Sequence, residues 1–174
     1  MPSVPLAEIP EDVKTRLLEA GASASILEAP IYRSLAHQPE LLRGWIELSW
    51  GLRARAVLTP RLRELAIVRM ALLQEKASVE GGTFVREAHE RSAREAGVTG
   101  EEISALDDWE HNDVFPARER AALALADAMR AGSVPDHVLS VLAEHFEPAE
   151  RVELIVTCAF YELVPRVNNA LRVG

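Results

Sequence analysis

The sequence predicts an all-α fold in a single domain. Apolar residues recur at helical spacing along most of the chain, whereas the alternating, β-branched runs that favour strands are scarce. A length of 174 residues suits one domain. Because no linker or low-complexity segment divides the chain, we expect one helical bundle, with N-terminal helices in residues 1–57 and a helical core in residues 58–174.

Prolines and glycines mark the ends of the predicted N-terminal helices. Residues 10–20 predict a short helix that Gly21 ends. Pro30 and Pro39 each begin another helical stretch, and the second runs to about Arg55. Proline is well tolerated at the first helical position, since its missing N–H would have no partner within the helix there.

The stretch from Pro60 to about Lys76 is apolar on all sides. A helix with this pattern is usually buried in the middle of a fold. Between its first and last turns it carries two charged side chains, Glu64 and Arg69. We expect Arg69 to pair with a carboxylate on another element, because Glu64 lies on the wrong side of the helix for it.

Further signals divide the rest of the chain. Residues 83–96 predict a helix that Gly97 ends, and Thr99 with Glu102 forms the pattern of a capping box. The acidic segment 107–114 is typical of a loop. The remaining predicted helices begin at Pro116, Pro135 and Pro148, the first ending near Gly132 and the last near Leu171.

Composition excludes several kinds of partner. The 27 acidic and 19 basic residues give a net charge of −8, and this field would repel a nucleic acid. No segment approaches the roughly 20 apolar residues of a membrane helix, so we expect no membrane contact. The N-terminus lacks the pattern of a secretory signal. The single cysteine, Cys158, fits a reducing compartment, and we therefore expect a cytoplasmic protein.

The histidines show no metal-ligand spacing. No His-x-x-x-His or Glu-x-x-His pattern falls on one predicted helix, so we expect no metal. Gly81-Gly82 is too short for a phosphate-binding loop and follows no strand. The sequence therefore predicts a protein without a cofactor.

From Leu58 onward the chain resembles the carboxymuconolactone decarboxylase and alkylhydroperoxidase-D-like family. The resemblance covers about two-thirds of the chain, and its segments keep the family's order and spacing. It implies an all-helical fold whose protomers pack into dimers, trimers or hexamers. The segments that carry it are 58–71, 93–98 with the following capping box, 119–127 and 146–171.

The chain departs from the family where the chemistry is expected. The peroxidase branch has a Cys-x-x-Cys motif and a nearby histidine downstream of a helix glutamate that Glu64 matches. Here Lys76, Val79 and Thr83 occupy the positions of those three residues, so paired-thiol chemistry is excluded. The branch without thiols has a Glu-Trp pair followed by a histidine. Glu80 fits that glutamate with a slip of one residue, but the tryptophan is missing.

Three candidate catalytic residues follow from this comparison. Burial would raise the pKa of Glu64 and suit it to proton transfer, although it could instead be a first-turn glutamate paired with an arginine. Phe84 falls where the family's histidine would be, and a shifted His89 could replace it as acid or base; it could equally be a packed histidine. Glu80 precedes two glycines that could let a loop bring it to a pocket, or it could be a solvated charge.

The favoured interpretation is a cofactor-independent acid–base enzyme that acts on a small carboxylated, lactone-like substrate. One alternative is a non-catalytic oligomer that binds a small molecule or a partner, because the family's reactive residues are missing. A weaker alternative is a peroxidase that uses Cys158 with an external thiol.

Overall fold

The computed structural model describes residues 1–19, 24–77 and 82–173, and in those ranges the chain is helical and contains no strand. Two short 3-10 helices accompany the α-helices, at Ala24–Glu28 and Leu106–His111. The all-α fold is thereby confirmed. The α-helices are α1 (Glu11–Glu19), α2 (Pro30–Leu35), α3 (Pro39–Ala54), α4 (Pro60–Lys76), α5 (Gly82–Glu95), α6 (Gly100–Ala105), α7 (Ala117–Ala131), α8 (Asp136–His145) and α9 (Pro148–Leu171).

Helix α4 is buried on every side, as its all-round apolar pattern predicts. Its N-cap is Thr59, whose Oγ1 accepts a hydrogen bond from the Leu62 amide at 3.4 Å. The helix packs against both α5 and α7. Three of its charged residues are also buried, so each of them needs a partner inside the fold. The buried charged and polar residues of α4 are Arg63, Glu64, Arg69 and Gln74.

Proline marks the helix starts in two ways. Pro60 and Pro148 are the first residues of their helices, as predicted. Pro116 and Pro135 instead precede α7 and α8 as N-cap residues with extended backbone, so those two helices begin one residue later than predicted. At the other end of α7, Gly132 adopts φ +85°, a conformation that glycine reaches without strain.

The predicted loop at 107–114 is wrong in its first half. Residues Leu106–His111 form a 3-10 helix, and Trp109 is buried within it. Arg120 holds this turn through hydrogen bonds from its guanidinium to three backbone carbonyls, those of Trp109, Glu110 and Asn112, each at 2.9 Å. These contacts come from α7, the next helix along the chain, and the acidic pattern of the segment itself could not predict them.

The chain forms two compact units. One comprises residues 1–55 with the chain from Val167 onward, and the other comprises Ala56–Arg166. The division on the N-terminal side falls two residues before the one expected at residue 57. The second unit contains α4 to α8 and most of α9, with a core that includes Leu65, Val68, Leu106, Phe115 and Leu123. In the ranges that the structure describes, no helix is long and apolar enough to cross a bilayer.

Candidate active site

Helix α4 places Glu64 in the interior of the second unit. The residue is 2% exposed and lies in the second turn of the helix, among Leu65, Ile67 and Val68. A carboxylate so far from solvent is stable only when other groups hydrogen-bond to it. The position of Glu64 therefore depends on what the neighbouring elements bring to it.

Helix α5 brings His89 to that carboxylate. His89 lies on the buried side of the helix with Val85 and Ala93 and is 7% exposed. Its Nδ1 lies 2.6 Å from Oε2 of Glu64. This distance is typical of a short, charge-assisted hydrogen bond. The contact joins two helices across 25 residues of sequence.

Two more side chains surround the pair. Arg63 Nε lies 3.4 Å from Oε1 of Glu64, so a guanidinium and an imidazole approach the two oxygens of one carboxylate. On the other side of His89, the ring of Tyr161 meets the imidazole edge to face, with centroids 4.7 Å apart and planes at 82°. Gln74 Nε2 donates to the backbone carbonyl of Tyr161 at 2.5 Å, which fixes that part of α9 against α4.

The arrangement suits an imidazole that exchanges protons. When Nδ1 of His89 carries its hydrogen, it donates to Glu64, and the ring is held in the tautomer whose Nε2 can accept a proton. When both nitrogens are protonated, the carboxylate stabilises the imidazolium. The Glu64–His89 pair can therefore take up and return a proton at one fixed place.

The structure brings two of the three predicted catalytic residues, Glu64 and His89, into contact. Glu64 is buried, as the pattern of α4 predicts, and His89 contacts it from α5. Glu80 lies outside the described residues. The arginine contact considered for Glu64 occurs together with the contact to His89, because Arg63 and His89 approach different carboxylate oxygens.

Sequence reasoning missed Arg63 and Tyr161. Neighbouring residues on a helix do not face each other, so the adjacency of Arg63 and Glu64 gave no signal. Tyr161 belongs to the family-like segment 146–171, but nothing in the spacing connects it to His89. The Arg63 contact depends on the side-chain conformations within α4, and the Tyr161 contact depends on the packing of α9 beside His89.

Arg69 has a structural role. Its guanidinium donates to both carboxylate oxygens of Asp127, at 2.6 and 2.8 Å, and to the Leu106 carbonyl at 2.7 Å. The expected pairing of Arg69 with a carboxylate is confirmed. These contacts orient the guanidinium toward α7 and the 3-10 helix.

Cys158 is unsuited to thiol chemistry. The residue is 1% exposed, and burial raises the pKa of its thiol to about 12. The thiolate is the reactive form of cysteine, so a buried neutral thiol does not attack a peroxide at neutral pH. The geometry gives no support to a peroxidase that uses this residue.

The described residues also contain no group of three or more histidine, cysteine, aspartate or glutamate side chains placed to hold a metal. Glu64 and His89 are two residues of these types in contact, and the guanidinium of Arg63 lies beside the Glu64 carboxylate.

The protein is therefore an all-helical protein with a carboxylate–imidazole pair buried in its interior. The sequence model of the carboxymuconolactone decarboxylase family matches residues 39–128, just over half of the chain. The chain belongs to that family.

Relatives with known structure share the fold at low sequence identity. A putative antioxidant defence protein AhpD from Agrobacterium tumefaciens, of unknown function, is 19% identical with a TM-score of 0.67, covering 81% of this chain and 94% of its own. An uncharacterised peroxidase-related protein from Ralstonia eutropha JMP134 is 21% identical, with a TM-score of 0.68, and covers 99% and 91%. The debrominase Bmp8, in complex with 2,3,4-tribromopyrrole, is 16% identical, with a TM-score of 0.73, and covers 100% and 93%.

Sequence comparison also finds a similar bacterial protein. The uncharacterised protein YdfG of Bacillus subtilis is 28% identical over 115 residues, which is 64% of this chain and 70% of that protein.

Proposed function

We propose that this protein is a cofactor-independent acid–base enzyme that acts on a small carboxylated, lactone-like substrate, with Glu64 and His89 as its proton-transfer pair. The observation that carries the proposal is the 2.6 Å contact between Glu64 Oε2 and His89 Nδ1 in the interior of the fold. A buried carboxylate and imidazole in contact are the groups that general acid–base catalysis uses most often. Membership of the decarboxylase family supports the substrate class.

In this proposal His89 moves the proton and Glu64 controls the imidazole. The bond between the substrate carbon and its carboxylate breaks, carbon dioxide leaves, and the electron pair stays on carbon as an enolate. The imidazolium of His89 then gives its proton to that carbon, and a proton from solvent restores the imidazolium. One proton is consumed for each carbon dioxide released, and no oxidant or reductant is required.

Arg63 supports the choice of an anionic substrate. Arg63 is 9% exposed, and its guanidinium lies beside the Glu64 carboxylate, where it partly offsets the negative charge. Without such a cation, a second carboxylate near Glu64 would be repelled. We propose that the same positive charge favours the substrate carboxylate when it binds near His89.

The proposal is tested with a panel of carboxylated γ-lactones. Turnover is followed as carbon dioxide release and as loss of substrate absorbance. We expect His89→Gln and Glu64→Gln to lower kcat on any accepted substrate by about 10²–10⁴-fold. His137→Gln, at an exposed histidine of α8, is the matched control and should retain wild-type kcat. Full activity in both site variants would contradict the proposal.

A second candidate is a binding protein that has kept the fold and lost the reaction. It is favoured by the same Arg63–Glu64 contact, because a carboxylate held by an arginine is a weaker proton acceptor. Calorimetry with the lactone panel separates the two functions. Saturable binding that His89→Gln weakens, without carbon dioxide release from any bound compound, would establish binding alone.

A further inference from the structure

Helix α9 contains a proline in its interior. Pro165 is buried, and the helix continues beyond it to Leu171. A proline has no backbone N–H, so Pro165 cannot donate the usual intrahelical hydrogen bond to the carbonyl four residues earlier, which is that of Tyr161. The Tyr161 carbonyl therefore has room for a donor from another element.

Gln74 of α4 supplies such a donor. Its Nε2 donates to the Tyr161 carbonyl oxygen at 2.5 Å, and the two residues are 87 apart in sequence. The bond therefore joins α4 directly to α9. Gln74 is 0% exposed, and the first residue of α5 also lies close to it, since a Cβ added at Gly82 would lie 3.5 Å from the Gln74 Cβ.

The glutamine carries a cost at this position. Its second polar atom, Oε1, has no hydrogen-bond partner among the described residues. Burial of an amide oxygen without a partner is unfavourable, and an apolar side chain of similar length would avoid that penalty. Packing alone therefore does not account for Gln74, whereas the hydrogen bond to the Tyr161 carbonyl does.

Tyr161 connects this hydrogen bond to the candidate site. Its ring is buried and meets the His89 imidazole edge to face, with centroids 4.7 Å apart. The Phe160 ring also packs against the Tyr161 ring, with centroids 5.6 Å apart and planes at 84°. A Tyr161 ring that is fixed in place limits the rotation of the imidazole and so keeps its Nδ1 directed at Glu64.

We propose that Gln74 is a positioning residue of the Glu64–His89 pair and acts through the Tyr161 carbonyl, whose intrahelical hydrogen bond Pro165 removes. The inference rests on the proposed function, because proton transfer is what the pair is positioned for. Gln74 itself touches neither member of the reacting pair in this role. When its hydrogen bond is removed, Tyr161 shifts and the imidazole turns away from Glu64 for part of the time.

The first test needs no substrate and observes His89 by NMR. Long-range proton–nitrogen spectra of isotope-labelled protein show which imidazole nitrogen carries hydrogen, and the His89→Gln variant identifies the His89 signals among those of the 5 histidines. In the wild type, Nδ1 should be protonated because it lies 2.6 Å from Glu64 Oε2. Gln74→Met keeps the side-chain length and removes the donor. It should shift the Nδ1 signal toward that of an unprotonated nitrogen.

Two further variants show whether the effect passes through the Tyr161 carbonyl. Pro165→Ala restores an N–H at position 165 that can donate to this carbonyl within the helix. Adding Pro165→Ala to Gln74→Met should therefore return the Nδ1 signal at least halfway to its wild-type position. Gln38→Met is the matched control, since Gln38 also hydrogen-bonds to the backbone, accepting from two amides at the start of α3. It should leave the His89 signal unchanged.

The second test uses any lactone of the panel that is turned over. Gln74→Met should lower kcat about tenfold and leave KM within about twofold of wild type, because a misdirected imidazole slows proton transfer without loss of a substrate contact. The double variant should have a kcat within about threefold of that of Pro165→Ala alone. If no lactone is turned over, the proposed function fails, while the role of Gln74 is still decided by NMR.

Three results would overturn the inference. The first is a folded Gln74→Met protein whose Nδ1 signal matches the wild type. The second is an equal shift in Gln38→Met, which would indicate general loosening of the fold. The third is a double variant without recovery of the signal.

Tyr161→Leu tests the same contacts if circular dichroism shows that Gln74→Met does not fold. This variant keeps the backbone carbonyl for Gln74 and removes the ring beside His89. It should shift the Nδ1 signal of His89 in the same direction as Gln74→Met. An unchanged signal in folded Tyr161→Leu would show that the ring does not position the imidazole, and the inference would then be wrong.

Discussion

Arg69 and Asp127 form a two-bond ion pair between α4 and α7. Nε donates to Oδ1 at 2.6 Å and Nη2 to Oδ2 at 2.8 Å, while Trp109 Nε1 donates to the same Oδ2 at 3.0 Å. The Arg69 side chain is only 8% exposed. A single carboxylate therefore joins two helices to the 3-10 turn that carries Trp109.

Replacing that carboxylate should destabilise the fold strongly. Asp127→Asn leaves the buried Arg69 cation without its counter-charge, and we expect a loss of about 3 kcal/mol in the free energy of unfolding. Urea unfolding measures this loss. Asp107→Asn is the matched control, because the Lys76–Asp107 pair is also 2.6 Å long but more than half exposed. Removing an exposed pair should cost less than about 1 kcal/mol.

Glu64 and His89 should act as one unit in catalysis. If Glu64 works only through the imidazole, its removal has little further effect once His89 is gone. We expect the double variant Glu64→Gln, His89→Gln to have the same kcat as His89→Gln alone, within about threefold. Steady-state kinetics on an accepted lactone measures kcat for the wild type, the two single variants and the double variant, which together form a double-mutant cycle. Independent, multiplicative losses would mean that Glu64 contacts the substrate by itself.

The sequence alone predicts most of the helix boundaries, because they depend on local chemistry. The start of α4 at Pro60, the capping box at Thr99 and the left-handed Gly132 each follow from a few adjacent residues. The 3-10 helix around Trp109 does not, since its carbonyls are satisfied by Arg120 on a different element. A local pattern cannot reveal a partner that folding brings from elsewhere.

The candidate site was predictable in its parts but not in its arrangement. Glu64 follows from the family's helix, whereas His89 required a shift in spacing, and it is the packing of α5 against α4 that brings His89 into contact with Glu64. Arg63 and Tyr161 complete the surroundings of the pair without any sequence signal. Tertiary contacts of this kind depend on how helices approach, which periodicity does not encode.

The capping box of α6 should make stability depend on pH. The Arg61 guanidinium, which donates to Glu102 at 2.5 Å, lowers the pKa of that carboxyl to about 2 from its usual 4.5. A depressed folded-state pKa stabilises the fold above pH 4.5, and this contribution is lost as the pH falls toward 2. The stability gap between wild type and Glu102→Gln should therefore be largest at pH 7 and narrow below pH 4.5.

Urea unfolding at several pH values between 7 and 3 checks this dependence. The neighbouring Glu101→Gln is the control, since Glu101 is exposed in the first turn of the same helix. It should show no comparable gap at pH 7. A gap for Glu102→Gln that stays constant down to pH 3 would show that ionisation of the carboxyl does not contribute to it.

The Cys158 thiol should react with thiol reagents only when the protein unfolds. Its thiol is buried and its pKa is raised to about 12, so the thiolate is scarce and out of reach at pH 8. We expect no reaction with Ellman's reagent in the folded protein over an hour and one equivalent of thiol after unfolding in urea. Rapid reaction without denaturant would instead show that α9 separates from the core, and it would reopen the question of peroxide chemistry at this residue.

Gly82 should not tolerate a side chain, because the first residue of α5 lies in close contact with the backbone of α4. A Cβ at this position would lie 3.1 Å from the Glu75 amide nitrogen and 3.4 Å from the Ala71 carbonyl oxygen, and both are backbone atoms that cannot turn aside. Replacing glycine with alanine within a helix usually stabilises it by about 1 kcal/mol. For Gly82→Ala we expect the clash to outweigh this gain, with a net loss of about 1 kcal/mol or more.

Gly44→Ala is the matched control, since Gly44 lies inside α3 with nothing within 4 Å of its added Cβ. It should gain up to about 1 kcal/mol in the free energy of unfolding. Opposite signs for the two variants in urea unfolding would establish that the close approach of α5 to α4 constrains Gly82. Because that approach also brings His89 to Glu64, Gly82→Ala should weaken turnover as well as stability, whereas Gly44→Ala should leave turnover unchanged.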